Sequence, residues 1–118
     1  MPATEPREVL VAQRDEALAQ IAALSRDFTA LVDAAESSNA DDEHDPEGAT
    51  LAFERQQLAA VLDLARARLH EVERALVQVR DGSYGRCERC GDAIGAERLA
   101  ARPAALACIA CARTAPGA

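Results

Sequence analysis

Apolar and polar positions alternate along the first two-thirds of the chain with a spacing of four and three. Leu10, Arg14, Ala17, Ile21, Leu24, Phe28, Leu31 and Ala35 form one such seam. Leu51, Arg55, Leu58, Leu62, Ala65, Leu69, Val72, Leu76 and Val79 form a second. Seams of this kind are the signature of helices that pack as coiled coils. They predict one helix over about 7–36 and another over about 46–81. Between them the stretch 37–47, SSNADDEHDPE, has no apolar period. It ends in a helix-start signal, with Asp45 placed to cap, Pro46 at the first helical position and Glu47 in the first turn. Asp81-Gly82-Ser83 stops the second helix, with Gly82 suited to a left-handed cap. Two seams of similar length on either side of a short loop bury each other by folding back. The predicted fold is therefore mainly α: a long antiparallel coiled-coil hairpin over 1–82, with an acidic loop at the tip of a rod. The alternative arrangement, in which the helices pair between chains into a bundle, stays open at this point.

Composition makes the core of such a molecule thin. The chain has 118 residues and an apolar fraction of 49%, but aromatics are only 3% and tryptophan is absent. Alanine buries little area, so a chain of this kind needs a staple as well as a long helix pair. The formal net charge of -7 opposes non-specific binding to phosphate backbones, which requires a basic surface. No stretch approaches the apolar length of a transmembrane helix, and the first residues lack a signal-peptide core. A cytoplasmic location and no membrane partner are expected.

The staple is visible after residue 82. Cys87-Glu-Arg-Cys90 and Cys108-Ile-Ala-Cys111 are two CxxC pairs separated by a seventeen-residue spacer, and they contain every cysteine of the chain. In a reducing compartment such thiols are metal ligands rather than disulfides. Four soft thiolates complete a tetrahedral shell around zinc and leave no position for a reacting water, so the site is structural. The expectation is one structural Zn²⁺ held by Cys87, Cys90, Cys108 and Cys111 in a small C-terminal finger over 83–113, followed by a tail, 114–118. Two disulfides, a redox dithiol or an iron–sulfur cluster are the competing uses of these cysteines. Gly91 is expected to take a positive φ and close the first CxxC turn. Ile94, Leu99, Leu106 and Ile109 are expected to form a miniature core beside the metal. Arg86, Arg89, Arg98, Arg102 and Arg113 are near enough in sequence to offset the charge of the thiolates. The hairpin seams do not include the finger, so the helices are expected to outlast its loss.

The run Tyr84-Gly85-Arg86-Cys87-Glu88-Arg89-Cys90-Gly91, then Ile94, then Arg98-Leu99-Ala100-Ala101-Arg102-Pro103, then Cys108-Ile109-Ala110-Cys111 resembles the four-cysteine finger of the bacterial DksA/TraR family. The likeness covers about the last third of the chain. It implies a transcription regulator, not an enzyme, that binds core RNA polymerase directly. In this family a hairpin enters the secondary channel and acidic residues at its tip approach the active site. Here the tip acids are Asp41, Asp42, Glu43, Asp45 and Glu47. Asp45-Pro46 fits the family's tip pattern, but Gly48 and Ala49 stand where an acid and an arginine are expected. Some members bind guanosine tetraphosphate through basic residues at the junction of finger and hairpin. Arg102 matches one of these, whereas Glu71 and Ala112 replace two lysines, which predicts weak or no binding of that nucleotide. An adaptor that uses the coiled coil to bind another protein is the alternative function. A nucleic-acid-binding zinc ribbon ranks lower because of the net acidity, and no direct sequence-specific DNA binding is expected.

Overall fold

The computed structural model describes residues 5–39 and 46–114, with side chains over 5–36 and 49–114. Four helices follow one another: α1 (Pro6–Asn39), α2 (Pro46–Asp81), α3 (Ala96–Ala101) and α4 (Ile109–Thr114). α1 begins on a proline, whose missing N–H belongs to a turn that has no partners anyway. It runs three residues past the expected end. α2 begins at Pro46 and ends as its sequence directs. Gly82, at φ 81°, donates to the Val79 carbonyl at 3.3 Å, and Ser83 donates to the Gln78 carbonyl at 2.9 Å. This pair of bonds satisfies the last carbonyls of the helix, and the positive φ is open to glycine without strain.

α1 and α2 form the long helical hairpin, and every predicted seam position over 10–35 and 51–79 is buried or half-buried. The described chain divides into two compact units, and each helix contributes to both.

In the unit Glu16–Arg68, Phe28 of α1 lines a cleft with Leu62 of α2. Leu31 lines another with Leu58. As the α1 number rises its α2 neighbour falls, so the helices run antiparallel. The buried residues here are Ala17, Ala35, Leu62 and Ala65. Three of these four are alanine, which lets helix backbones approach closely. Phe53 and Leu64, by contrast, stay 59% and 71% exposed.

The second unit comprises the chain up to Asp15 and from Leu69 onward. Its first cluster joins Leu10 of α1, Val72 and Ala75 of α2, and Leu106 of the finger, with Leu76, Val79, Tyr84 and Ala104 packed around them. Leu10 and Val72 are fully buried, and each contributes about 1.5–3 kcal/mol relative to exposure. A second cluster joins Cys87, Ile94 and Ala105, flanked by Leu99 and the sulfurs of Cys108 and Cys111. The miniature core of the finger thus differs from the expected one. Leu106 packs on the long helices instead, and Ile109, on the outer side of α4, is 53% exposed. Ala105 takes the place beside Ile94.

Candidate metal centre

The first CxxC pair sits in a short antiparallel loop. Arg86 and Ala93 form an isolated β-bridge. The Cys87 N–H donates to the Asp92 carbonyl at 2.8 Å, and the Ile94 N–H to the Gly85 carbonyl at 2.8 Å. Gly91, at φ 79°, closes the turn by donating to the Cys87 carbonyl at 2.9 Å. The second pair opens α4, where the Ala112 N–H reaches the Cys108 carbonyl at 2.9 Å. The Glu88 N–H donates to the Leu106 carbonyl at 2.9 Å and stitches the two halves together. Arg89 adds a second stitch, from its Nη1 to the Cys111 carbonyl at 3.4 Å. Arg98 holds the approach to Cys108 through the Ala107 carbonyl, at 2.9 Å from its Nε.

These constraints bring the Sγ atoms of Cys87, Cys90, Cys108 and Cys111 within 4.8 Å of one another. All four are free thiols. The Sγ atoms of Cys90 and Cys108 are 3.8 Å apart. Four sulfurs at ~2.3 Å from one ion in a tetrahedron are separated by roughly 3.8 Å, so the donor set fits a tetrahedral metal ion. Backbone N–H groups of Arg89 and Cys111 point at the Cys87 and Cys108 sulfurs, at 3.4 and 3.5 Å. At Cys87 the bond from Arg89 favours the thiolate form.

The thiols do not titrate alike. Backbone N–H groups, first that of Cys108 and then that of Cys90, pull the Cys87 thiol down to about 6. The sulfurs of Cys108, Cys87 and Cys90 push the Cys111 thiol up to about 12. One negative charge is welcome in this nest and four are not, unless a cation sits among them.

Arg102, the residue matched to the family's junction, is exposed. It lines a cavity of about 390 Å³ with Glu71, Arg74, Glu88, Arg89 and Arg98. Arg74 pairs with Glu88, while Arg89 and Arg98 are engaged by carbonyls as above. Among the described residues no ion pair or side-chain hydrogen bond engages Arg102. Sequence reasoning missed Arg74 and Glu88, because a pairing between residues fourteen positions apart leaves no periodic trace. Of the expected tip acids, Asp41, Asp42, Glu43 and Asp45 lie outside the described residues. Glu47 falls in the first turn of α2, and its side chain too lies outside them. Among the described residues no helix is long and apolar enough to cross a membrane.

With the geometry in view, the likenesses to known proteins are specific. Residues 82–116 match the prokaryotic dksA/traR C4-type zinc finger. The chain is 43% identical over 68 residues to General stress protein 16O of Bacillus subtilis, covering 58% of this chain and 42% of that one. It is 49% identical over 43 residues to the RNA polymerase-binding transcription factor DksA of Caulobacter vibrioides, covering 36% and 30%. The corresponding protein of Escherichia coli is 45% identical over 49 residues, covering 42% and 32%. The matched stretch therefore spans less than half the length of these relatives. The structure of transcription factor DksA2 from Pseudomonas aeruginosa superposes with a TM-score of 0.73 and 27% identity. That superposition covers 92% of this chain and 78% of the other, so it takes in helices as well as finger. The finger, residues 82–116, is thus of the prokaryotic dksA/traR C4 type, on a fold similar to that of DksA2.

Proposed function

We propose that this protein is a zinc-binding, non-enzymatic regulator of transcription that contacts RNA polymerase directly. On this reading the hairpin enters the secondary channel with the acidic segment between α1 and α2 leading. The observation that carries it is the likeness to DksA2 over 92% of the chain. A finger alone could serve many partners, but a finger joined to a long hairpin of the same kind supports the same use. The proposed metal is Zn²⁺, held by Cys87, Cys90, Cys108 and Cys111, because four thiolates at tetrahedral spacing suit this ion and leave no open position for catalysis. The polymerase-facing acids are Asp41, Asp42, Asp45 and Glu47.

Guanosine tetraphosphate is a poor ligand for this chain on the same reading. The cavity beside Arg102 holds four arginines, but Glu71 and Glu88 share it. Three of the arginines already have carboxylate or carbonyl partners within the protein. A phosphate would have to displace those partners and tolerate a carboxylate, both of which weaken anion binding.

An adaptor for another protein is the second reading. Exposed Phe53 and Leu64 favour a protein partner without saying which. Co-purification of the tagged chain with core RNA polymerase separates the two. The regulator reading expects a complex that a known secondary-channel factor displaces. A chain that never captures polymerase, or one that such a factor leaves in place, supports the adaptor.

A further inference from the structure

Leu106 belongs to two structures at once. Its side chain closes the cluster of Leu10, Val72 and Ala75 on the long helices. Its backbone carbonyl is held by the N–H of Glu88, next to Cys87, and it lies two residues before Cys108. The neighbouring residue, Ala105, belongs to the other cluster, with Cys87 and Ile94. Adjacent residues of one irregular stretch therefore face the sulfur side and the helix side.

The sulfur side has little apolar material of its own, since its buried residues are Cys87, Ile94 and Ala105. A core this small does not hold a thirty-residue segment without a staple, and the folding of such a segment draws on metal-binding energy. The helix side, in turn, draws on Leu106. Val72 and Ala75 have no exposed surface, although Ala75 lies off the seam that faces α1. Tyr84 and Ala104 pack only at the edge of this cluster and are partly buried, whereas Leu106 is one of its buried members. The Arg74–Glu88 pair is half-exposed, with side chains 48% and 34% accessible, and such pairs contribute little.

We propose that Leu106 couples metal occupancy of the four-cysteine centre to the packing of the first turns of α1 on the last turns of α2. With the metal bound, the stretch 105–108 is fixed and Leu106 covers Leu10, Val72 and Ala75. Without it, Leu106 is released and that apolar patch meets water. The metal then controls the order of the long helices near Leu10 and Val72, and not of the finger alone. This inference rests on the reading of the four thiols as a metal site, and it departs from the expectation that the helices are indifferent to the finger.

Hydrogen exchange on the full chain tests it, in zinc-loaded protein and in reduced protein stripped with a chelator. Stripping is expected to speed exchange at least tenfold in peptides containing Leu10 and Val72–Val79, and by less than twofold within Glu16–Arg68. Zinc-loaded Leu106→Ala is expected to show the same acceleration while keeping one zinc per chain. Unchanged protection near Leu10 and Val72, either on stripping or in Leu106→Ala, overturns the coupling. If Leu106→Ala fails to hold zinc, Leu10→Ala decides, because its side chain belongs to the helix cluster and not to the sulfur cluster. Coupling is reciprocal, so this variant is expected to bind zinc at least tenfold more weakly, and unchanged affinity overturns the proposal. A wild-type chain that binds no zinc at all overturns the metal reading itself. That result is distinct from a one-zinc protein whose exchange ignores the metal.

Discussion

Tyr84 donates its phenolic hydrogen to the Pro103 carbonyl at 2.7 Å, joining two points nineteen residues apart in the chain. The ring packs against the cluster of Leu10, Val72, Ala75 and Leu106, so one side chain ties the entry of the finger to the turn after α3. Tyr84→Phe keeps the ring and leaves the carbonyl without this donor. It is expected to cost about 0.5–1.5 kcal/mol, read by urea unfolding of zinc-loaded protein at neutral pH. Burial raises the phenol above its ordinary 10.0. Its contribution is therefore fully present below pH 10 and is lost as pH rises through the folded value. The gap between wild type and variant is expected to narrow only in that alkaline range. Equal stability at neutral pH means that the bond is not formed in solution.

Metal affinity is expected to fall with pH. Only thiolates coordinate. At pH 7 the Cys87 thiol, pulled to about 6, is mostly ionised, whereas the Cys111 thiol, pushed to about 12, is not. Binding therefore expels at least the Cys111 proton, and affinity drops roughly tenfold per pH unit for each proton expelled. Cys87 adds to the loss once pH passes below about 6. Competition with a chromophoric chelator between pH 6 and 8 measures the slope. An affinity independent of pH is incompatible with a four-thiolate site. Cys108→Ser is expected to lose the metal under the same competition.

Guanosine tetraphosphate is expected to bind weakly or not at all through this chain. The geometry behind this is that Glu71 lines the same cavity as Arg102. Calorimetric titration of the polymerase complex, with wild type compared against Arg102→Ala, reads it out. A micromolar site that disappears with Arg102 contradicts the prediction. Glu71→Lys, which reverses one wall charge, is expected to strengthen any residual binding.

The acids between the helices are expected to matter for effect more than for attachment. A short loop buries little surface, but charge in a narrow, poorly hydrated channel acts strongly on nearby cations. Replacing Asp42 and Asp45 by Asn removes the charge and keeps the shape, including most of the capping ability of Asp45. The double variant is expected to bind core polymerase within roughly tenfold of wild type, about 1.4 kcal/mol, and to lose most of its effect on transcription in vitro. Regulation at the wild-type level by the variant identifies this segment as a solvated turn and nothing more.

Local pattern carried most of the architecture. A four-three spacing places one face of each helix inward whatever the partner, so all seam positions from Leu10 to Val79 could be named before any contact was known. The Gly82 stop and the positive φ of Gly91 were equally legible, since each is a steric demand of a few consecutive residues. Two CxxC pairs are also local, and their chemistry suits one ion. Tertiary structure alone decided where the finger lands. Leu106 and Ile109 look alike as a sequence, yet one is buried against Val72 and the other is half-exposed on α4. Ala75 sits off the seam and is still fully buried, in a cluster that Leu106 of the finger joins together with Leu10 and Val72. The Arg74–Glu88 pair and the cavity that Glu71 and Arg102 both line have the same origin. Periodicity records which side of a helix is apolar, but a contact between segments that share no period depends on how the whole chain closes.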